Sequence, residues 1–126
     1  SEETIRNHLH TIHMAGRETF KIAVNTMLGA AQEAIARAGL TVADIDLMVP
    51  HQANMRIVEA VAKRLGEGVI DKVFLNLDRY GNTSAASIPL ALSEAVAAGK
   101  IKSGDKILMV AFGGGLSWGG TVVEWL

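Results

Sequence analysis

Runs of apolar residues predict β-strands at several places along the chain. The clearest run extends from Ile45 to Val49 and is ended by Pro50, as expected of a buried strand with a sharp stop. Apolar and polar residues also alternate in a short N-terminal stretch. The predicted strands are 8–13, 45–49, 73–77, 106–111 and 121–126. Because only a short loop separates the last two, they predict a hairpin.

Other segments carry apolar residues at intervals of three and four, which predicts helices. The first covers 16–39, and Gly39 is a suitable stop for it. The second covers 53–65 and turns Ile57, Val61 and Leu65 inward. Between the first helix and the strand, the stretch 41–44 has capping-box spacing and predicts a short helical turn.

The third predicted helix, 85–98, has hardly any polar face. Its apolar residues are Ala85, Ala86, Ile88, Leu90, Ala91, Leu92, Ala95, Val96, Ala97 and Ala98. Pro89 is tolerated because it lies in the first turn. A helix that is apolar on all sides is buried on all sides. We therefore expect something outside this chain to cover it.

The order strand, helix, strand, helix, strand predicts two right-handed crossovers in a mainly parallel sheet. Parallel strands expose their carboxyl ends at one edge, where ligands bind in open α/β sheets. Three segments meet at this edge: His51, Gly81–Asn82 and the loop 112–115. The sequence fixes this convergence through topology, while the direction of each side chain stays open.

Composition narrows the class of protein. With 126 residues and a formal net charge of −1, the chain is expected to form one α/β domain that binds neither nucleic acid nor membrane. The absence of cysteine excludes disulfides, thiolate metal sites and a thiol nucleophile within this chain. Ser1–Thr4 does not resemble a signal peptide, so we expect a cytoplasmic location.

The predicted cluster is rich in hydrogen-bond donors. Neutral His51 has one N–H, Asn82 has an NH₂ group, and the glycine loop can present backbone N–H groups. Such donors suit the stabilisation of an oxyanion or enolate. Alternatively, His51 and Asn82 serve only their own turns. The alternating His8, His10 and His13 favour a strand over a metal site, because the stretch has no carboxylate or thiolate to complete a ligand set. We predict no metal site.

Three stretches together resemble one enzyme family. They are Val49-Pro50-His51-Gln52-Ala53-Asn54, Tyr80-Gly81-Asn82-Thr83-Ser84-Ala85-Ala86-Ser87 and Ala111-Phe112-Gly113-Gly114-Gly115-Leu116-Ser117-Trp118-Gly119. Their order and spacing resemble the C-terminal half of β-ketoacyl-acyl carrier protein synthase III. The resemblance implies a thiolase-like half over 1–126, with a mixed, mainly parallel five-stranded sheet and helices on both faces. It also implies that the N-terminal half, which carries the family's catalytic cysteine, is absent from this chain.

The family resemblance implies roles for individual residues. His51 and Asn82 would stabilise the enolate formed when a malonyl thioester loses carbon dioxide, before the carbanion attacks an acyl group on the missing cysteine. A backbone N–H, that of Gly114, would serve the oxyanion of the acyl thioester. Gly16, Ala53, Asn54 and Phe112 match positions along the pantetheine tunnel, and Phe112 could equally be a packing residue. Carrier-protein docking would fall to Gln52, Ala53, Asn54, Met55, Arg56 and Lys21.

The same resemblance implies partners. Acyl-coenzyme A and acyl carrier protein would supply thioester substrates, no resident cofactor would be needed, and the intact enzyme would be a homodimer. The cations Lys21, Arg56 and Lys63 could meet an acidic carrier protein or simply lie on a solvated helix face. Alone, the chain is expected to be catalytically inactive. Two alternatives remain: a binding module for coenzyme A or carrier protein, and a helper subunit for a partner that bears the cysteine.

Overall fold

A computed structural model describes residues 1–11 and 15–126. In these residues the helices are α1 (Glu2–Arg6), α2 (Gly16–Arg37), α3 (Met55–Leu65), α4 (Leu77–Tyr80) and α5 (Ser87–Ala97). The strands are β1 (Leu47–Pro50), β2 (Lys106–Gly113) and β3 (Ser117–Glu124). Short 3₁₀ turns occupy Val42–Asp44, Val69–Lys72, Ser84–Ala86 and Gly114–Leu116.

The strands form a mixed sheet in the order β1-β2-β3. β1 runs parallel to β2, with Val49 opposite Met109. β2 and β3 form the antiparallel hairpin that the sequence predicts, with Ala111 opposite Gly119. The predicted first and third helices are present as α2 and α5. The capping box at Thr41 is also confirmed, with its backbone N–H donating to Asp44 at 2.7 Å.

Helices cover both faces of this sheet, as predicted. Alternate residues of a strand point to opposite faces, so Met48 packs with α2 and α3 while Val49 packs with α5. The same alternation in β2 places Leu108 on the sheet face that α2 and α3 cover and Ile107 on the face that α5 covers. All four side chains are fully buried. The sheet is therefore the middle of three layers, and the apolar side chains on both of its faces hold the layers together.

Within the residues that the structure describes, two of the five predicted strands do not form. The described part of 8–13 is a turn that follows α1, and His13 lies outside the described residues. In 73–77 only Val73 pairs, through a single parallel bridge to Met48. Beyond Phe74, whose backbone N–H donates to Met48 at 2.9 Å, the side chain of Gln52 replaces the neighbouring strand as hydrogen-bond partner. The ladder ends there because β1 itself has ended at Pro50.

Helix α2 packs very closely on β3. A Cβ atom built on Gly120 would lie 2.7 Å from the carbonyl oxygen of Ala30, and one built on Gly119 would meet nothing within 4 Å. The alanines Ala30 and Ala34 of the helix lie near Gly120, and each is 9% exposed. Glycine is therefore required at 120 for steric reasons, because a side chain would push the helix off the sheet.

The outer face of α5 is left bare by this chain. Its inward residues Ala91 and Ala95 are fully buried, while Leu90 and Val96 are about two-fifths exposed, at 40% and 42%. In the part of the chain that the structure describes, the outer side of this apolar helix is thus uncovered, as the sequence predicts. No helix in the described ranges 1–11 and 15–126 has both the length and the apolar character needed to cross a bilayer.

Candidate active site

An open cleft of about 1620 Å³ lies beside the carboxyl ends of β1 and β2. It brings together the three segments that topology predicts: His51, Asn82 and the glycine turn after β2. Residues of α2 and α3 also contribute to its wall. The cleft-lining residues used below are Gly16, Phe20, Lys21, His51, Ala53, Asn54, Arg56, Asn82, Ser87, Phe112, Gly114 and Trp118.

His51 is held by both its backbone and its ring. Its backbone N–H donates to the carbonyl of Val110 at 2.8 Å, which extends the β1–β2 ladder by one bond. The Nδ1 atom lies 2.6 Å from the hydroxyl oxygen of Ser87, and Phe112 packs edge-on at a centroid distance of 5.8 Å. When the hydroxyl donates to Nδ1, the imidazole carries its proton on Nε2. The ring is then a donor toward a ligand.

Burial controls the charge of this imidazole. It lowers the pKa of His51 below the ordinary value of 6.5, because an imidazolium ion would be poorly solvated there. His51 is therefore predominantly neutral at pH 7. A neutral ring can accept the Ser87 hydrogen bond at Nδ1 and still donate from Nε2.

We expect the chemical shifts of the His51 ring C–H protons to show a titration midpoint below pH 6.5 in an NMR experiment on the folded chain. A His51→Ala variant assigns the signal. Since the unfolded chain binds more protons than the folded chain below pH 6.5, acidification through that range should also lower the free energy of unfolding. At higher pH this residue makes no such difference. A titration midpoint at or above 6.5 would contradict the assignment.

Asn82 lies in a tight turn that orients its carboxamide. The Oδ1 atom accepts a hydrogen bond from the backbone N–H of Ser84 at 2.9 Å. Gly81 precedes it with a φ of +67°, a left-handed conformation that suits glycine. Because the turn uses the oxygen of the carboxamide, the NH₂ group is left as the end that can donate to a ligand.

The glycine turn connects β2 to β3. Gly115 has a φ of +74° and Leu116 a φ of +54°, and the Ser117 hydroxyl donates to the Gly114 carbonyl at 3.2 Å. Gly114 lines the cleft, and a Cβ atom built on it would meet nothing within 4 Å. The backbone is therefore unshielded by a side chain at this point, so that a ligand can approach its amide closely.

The residues predicted to contact substrate all line the cleft: Gly16, Ala53, Asn54 and Phe112. Asn54 also has a structural role, because it caps α3 by accepting from the Arg56 backbone N–H at 2.9 Å. Among the predicted docking residues, Lys21 and Arg56 lie at the cleft. Met55 is 40% exposed.

The prediction that Gln52 contacts a carrier protein is wrong for this structure. Its side chain is 0% exposed, and both ends of its amide have partners inside the fold. A residue with no accessible surface cannot form a docking contact. Its neighbours at 53–56 are unaffected by this correction.

Sequence reasoning assigned no role to Ser87, although the structure places its hydroxyl on His51. The residue is 2% exposed and occupies the first position of α5. A serine at the start of a mostly apolar helix is the pattern that could have indicated it. Phe20 and Trp118 also line the cleft, and the sequence pattern indicates no role in the site for either of them.

Solved structures define the class of this fold. The chain is similar to the crystal structure of 3-oxoacyl-[acyl-carrier-protein] synthase III from Aquifex aeolicus, with a TM-score of 0.88 and 50% identity over 90% of this chain and 37% of that one. The corresponding structure from Thermus thermophilus gives a TM-score of 0.87 and 57% identity over 90% of this chain and 35% of that one. The chain thus has the fold of the C-terminal portion of a thiolase-like condensing enzyme.

Sequence comparisons narrow the class to one family. Residues 35–125 match the family described as 3-Oxoacyl-[acyl-carrier-protein (ACP)] synthase III C terminal. Curated relatives named beta-ketoacyl-[acyl-carrier-protein] synthase III include those of Clostridioides difficile, at 54% identity, and Caldanaerobacter subterraneus, at 56%. Each alignment covers 99% of this chain but 38% of the relative. The chain belongs to this synthase III family and corresponds to its C-terminal domain.

Proposed function

We propose that this chain supplies the donors for decarboxylative condensation in a β-ketoacyl-acyl carrier protein synthase III of fatty acid biosynthesis. The observation that carries the proposal is the orientation of His51 and Asn82. Nδ1 of His51 is hydrogen-bonded to Ser87, and Oδ1 of Asn82 is hydrogen-bonded to Ser84. Each side chain therefore has one further nitrogen that can donate, and both residues line the same cleft. Two side chains that served only their own turns would not both need to line a cleft.

The proposed chemistry begins with a malonyl thioester. The bond between its α-carbon and carboxylate breaks, carbon dioxide leaves, and the electron pair passes to the thioester as an enolate. His51 Nε2–H and Asn82 Nδ2–H donate to the enolate oxygen, where the negative charge develops. The α-carbon then attacks an acyl thioester on a cysteine of the N-terminal half, whose thiolate leaves. The Gly114 N–H would stabilise the oxyanion formed in that attack.

Substrates of this kind arrive on a long arm, and the cleft suits one. Phosphopantetheine of coenzyme A or of a carrier protein would run along Gly16, Ala53, Asn54 and Phe112, which line the wall. We propose that these thioesters are substrates and that no resident cofactor is required. The cations Lys21 and Arg56, which also line the cleft, would meet an acidic carrier protein at its mouth.

The bare face of α5 supports a second part of the proposal. Leu90 and Val96 are 40% and 42% exposed in this chain, which suits a helix that packs against a matching half. We propose that a cysteine-bearing N-terminal half covers it, that the complete enzyme is a cytoplasmic homodimer, and that the chain alone is inactive. The chain spans about two-fifths of its curated relatives, at 38%.

The decisive experiment joins this chain to the N-terminal part of the Caldanaerobacter subterraneus relative, whose C-terminal region is 56% identical to it. We call this fusion the chimaera. It should release carbon dioxide from malonyl-carrier protein and condense the product with acetyl-coenzyme A, whereas the chain alone should do neither. A folded chimaera without either activity would contradict the proposal.

An alternative function is a binding module that holds coenzyme A or carrier protein without chemistry. The absence of cysteine from the 126-residue chain favours it. A third candidate, a helper subunit, would become active when a separate N-terminal half is added in solution. Decarboxylation assays with the chain alone, the added half and the chimaera distinguish these three functions.

Replacing Arg56 by alanine should raise the chimaera's KM for malonyl-carrier protein about 1.4- to fivefold, since an exposed ion pair contributes roughly 0.2–1 kcal/mol. The effect should shrink at high salt and be absent with malonyl-coenzyme A as the thioester. Arg37→Ala is the matched control, because Arg37 is 79% exposed and pairs with Glu33 within α2. Equal KM increases with both thioesters would argue against carrier docking at Arg56.

A further inference from the structure

A buried amide directly after His51 holds the segment that leads to Asn82. Gln52 is 0% exposed, and its Nε2 donates to the carbonyl of Phe74 at 3.2 Å. Its Oε1 accepts from the backbone N–H of Asn76 at 2.8 Å. One side chain therefore fixes two points of the 74–76 backbone relative to the end of β1. Because a buried amide left without partners is costly, this arrangement resists displacement.

The next link runs from Asn76 to helix α5. Asn76 is 3% exposed, and its Nδ2 donates to Oε2 of Glu94 at 2.9 Å. Arg79 donates to the same oxygen at 2.6 Å, and the Tyr80 hydroxyl donates to Oε1 at 2.6 Å. Three donors from 76–80 thus converge on one carboxylate. The hydrogen bond from Tyr80 lowers the pKa of Glu94, which keeps it ionised at neutral pH.

This carboxylate is also tied to the other half of the donor pair. Glu94 lies on α5, the helix whose first residue, Ser87, contacts His51 Nδ1 at 2.6 Å. The segment that Glu94 holds ends at Tyr80, and only Gly81 separates it from Asn82. Helix α5 therefore contacts His51 through Ser87 and, through Glu94, restrains the backbone segment that precedes Asn82.

We propose that Glu94 is a positioning residue for Asn82, with Gln52 as the link that refers this position to His51. The role of Asn82 as an enolate donor rests on the function proposed above. Glu94 itself would touch no substrate. It would set the place from which the Asn82 NH₂ group donates, and small displacements of such a group are costly to catalysis.

The kinetic test uses the chimaera. Glu94→Ala should lower kcat about 10–100-fold with little change in KM for malonyl-carrier protein. Glu94→Gln, which keeps an acceptor oxygen, should retain more activity than Glu94→Ala. In an Asn82→Ala background, Glu94→Ala should add little further loss, because its effect passes through Asn82. Glu33→Ala, which breaks the exposed ion pair with Arg37 at 2.6 Å, is the control and should leave kcat unchanged.

Two kinetic results would overturn the positioning role. One is a kcat for Glu94→Ala equal to that of the unsubstituted chimaera. The other is a Glu94→Ala loss of the same size with and without Asn82, since a residue that acts only on general stability would behave in this way.

A second measurement does not depend on activity. In ¹H–¹⁵N spectra of this chain, Glu94→Ala should shift or broaden the side-chain NH₂ resonance of Asn82, while Glu33→Ala should not. If Glu94→Ala does not fold, Tyr80→Phe removes one donor from the carboxylate and should shift the same resonance less. If the unsubstituted chimaera is inactive but Glu94→Ala shifts the Asn82 resonance, the proposed function is refuted and the positioning role is supported. An active chimaera with an unmoved resonance would refute the positioning role.

Discussion

Replacing His51 by alanine should slow the chimaera's decarboxylation of malonyl-carrier protein about 10²–10³-fold, the usual effect of removing one oxyanion donor. The physical reason is the loss of the imidazole, which burial keeps predominantly neutral and which can donate from Nε2 when the Ser87 hydroxyl donates to Nδ1. Release of carbon dioxide under saturating substrate measures the step directly. The KM should change much less than kcat, because the donor acts mainly on charge that develops in the transition state.

His10→Ala is the matched control for this experiment, because His10 lies in the N-terminal segment and does not line the cleft. Its decarboxylation rate should equal that of the unsubstituted chimaera. Asn82→Ala should produce a loss of similar size, and the two losses should not add when combined, as is usual for residues that act as a unit. A folded His51→Ala chimaera that keeps its full rate would refute the enolate assignment.

Replacing Gly120 by alanine should lower the free energy of unfolding of the chain by about 1–3 kcal/mol, the range for overpacking a tight contact. The new Cβ would lie 2.7 Å from the Ala30 carbonyl oxygen, a backbone atom that cannot move without the whole of α2. Urea denaturation followed by circular dichroism measures the change.

Gly119→Ala is the control for this substitution, one residue away on the same strand. A Cβ atom at 119 meets nothing within 4 Å, so the variant should be at least as stable as the original chain. Equal stability of both variants would mean that α2 and β3 are not packed as closely as described.

The layers of the fold could be predicted because they depend on local periodicity. The apolar run at 45–49 is found as β1, Leu47–Pro50, and the helical spacing from Gly16 is found as α2. The predicted strand at 73–77 failed for a tertiary reason. Its apolar pattern is genuine, but Gln52 supplies the partner that a strand would need, and only Val73 forms a bridge. The β-propensity of 73–77 gives no information about whether a side chain takes the place of a neighbouring strand.

The candidate site was predictable to a similar extent. Topology brings His51, Asn82 and the glycine turn to one sheet edge, and all three line one cleft. The direction of each side chain depends on contacts distant in sequence, such as Ser87 on His51 and Asn76 on Glu94. For the same reason the family resemblance implies a docking role for Gln52, whereas the residue is buried. Adjacency to His51 in the motif did not indicate which way its side chain would point.

The carboxamide of Asn82 divides two duties between its two heteroatoms. Its oxygen maintains the bend in the main chain through Ser84, and its nitrogen is the atom that would donate to the enolate in the proposed function. An aspartate at 82 is isosteric and keeps the atom on which the bend depends, while it loses the atom that would contact the enolate. If the proposed function holds, an aspartate at this position would therefore alter reactivity while leaving the bend in place.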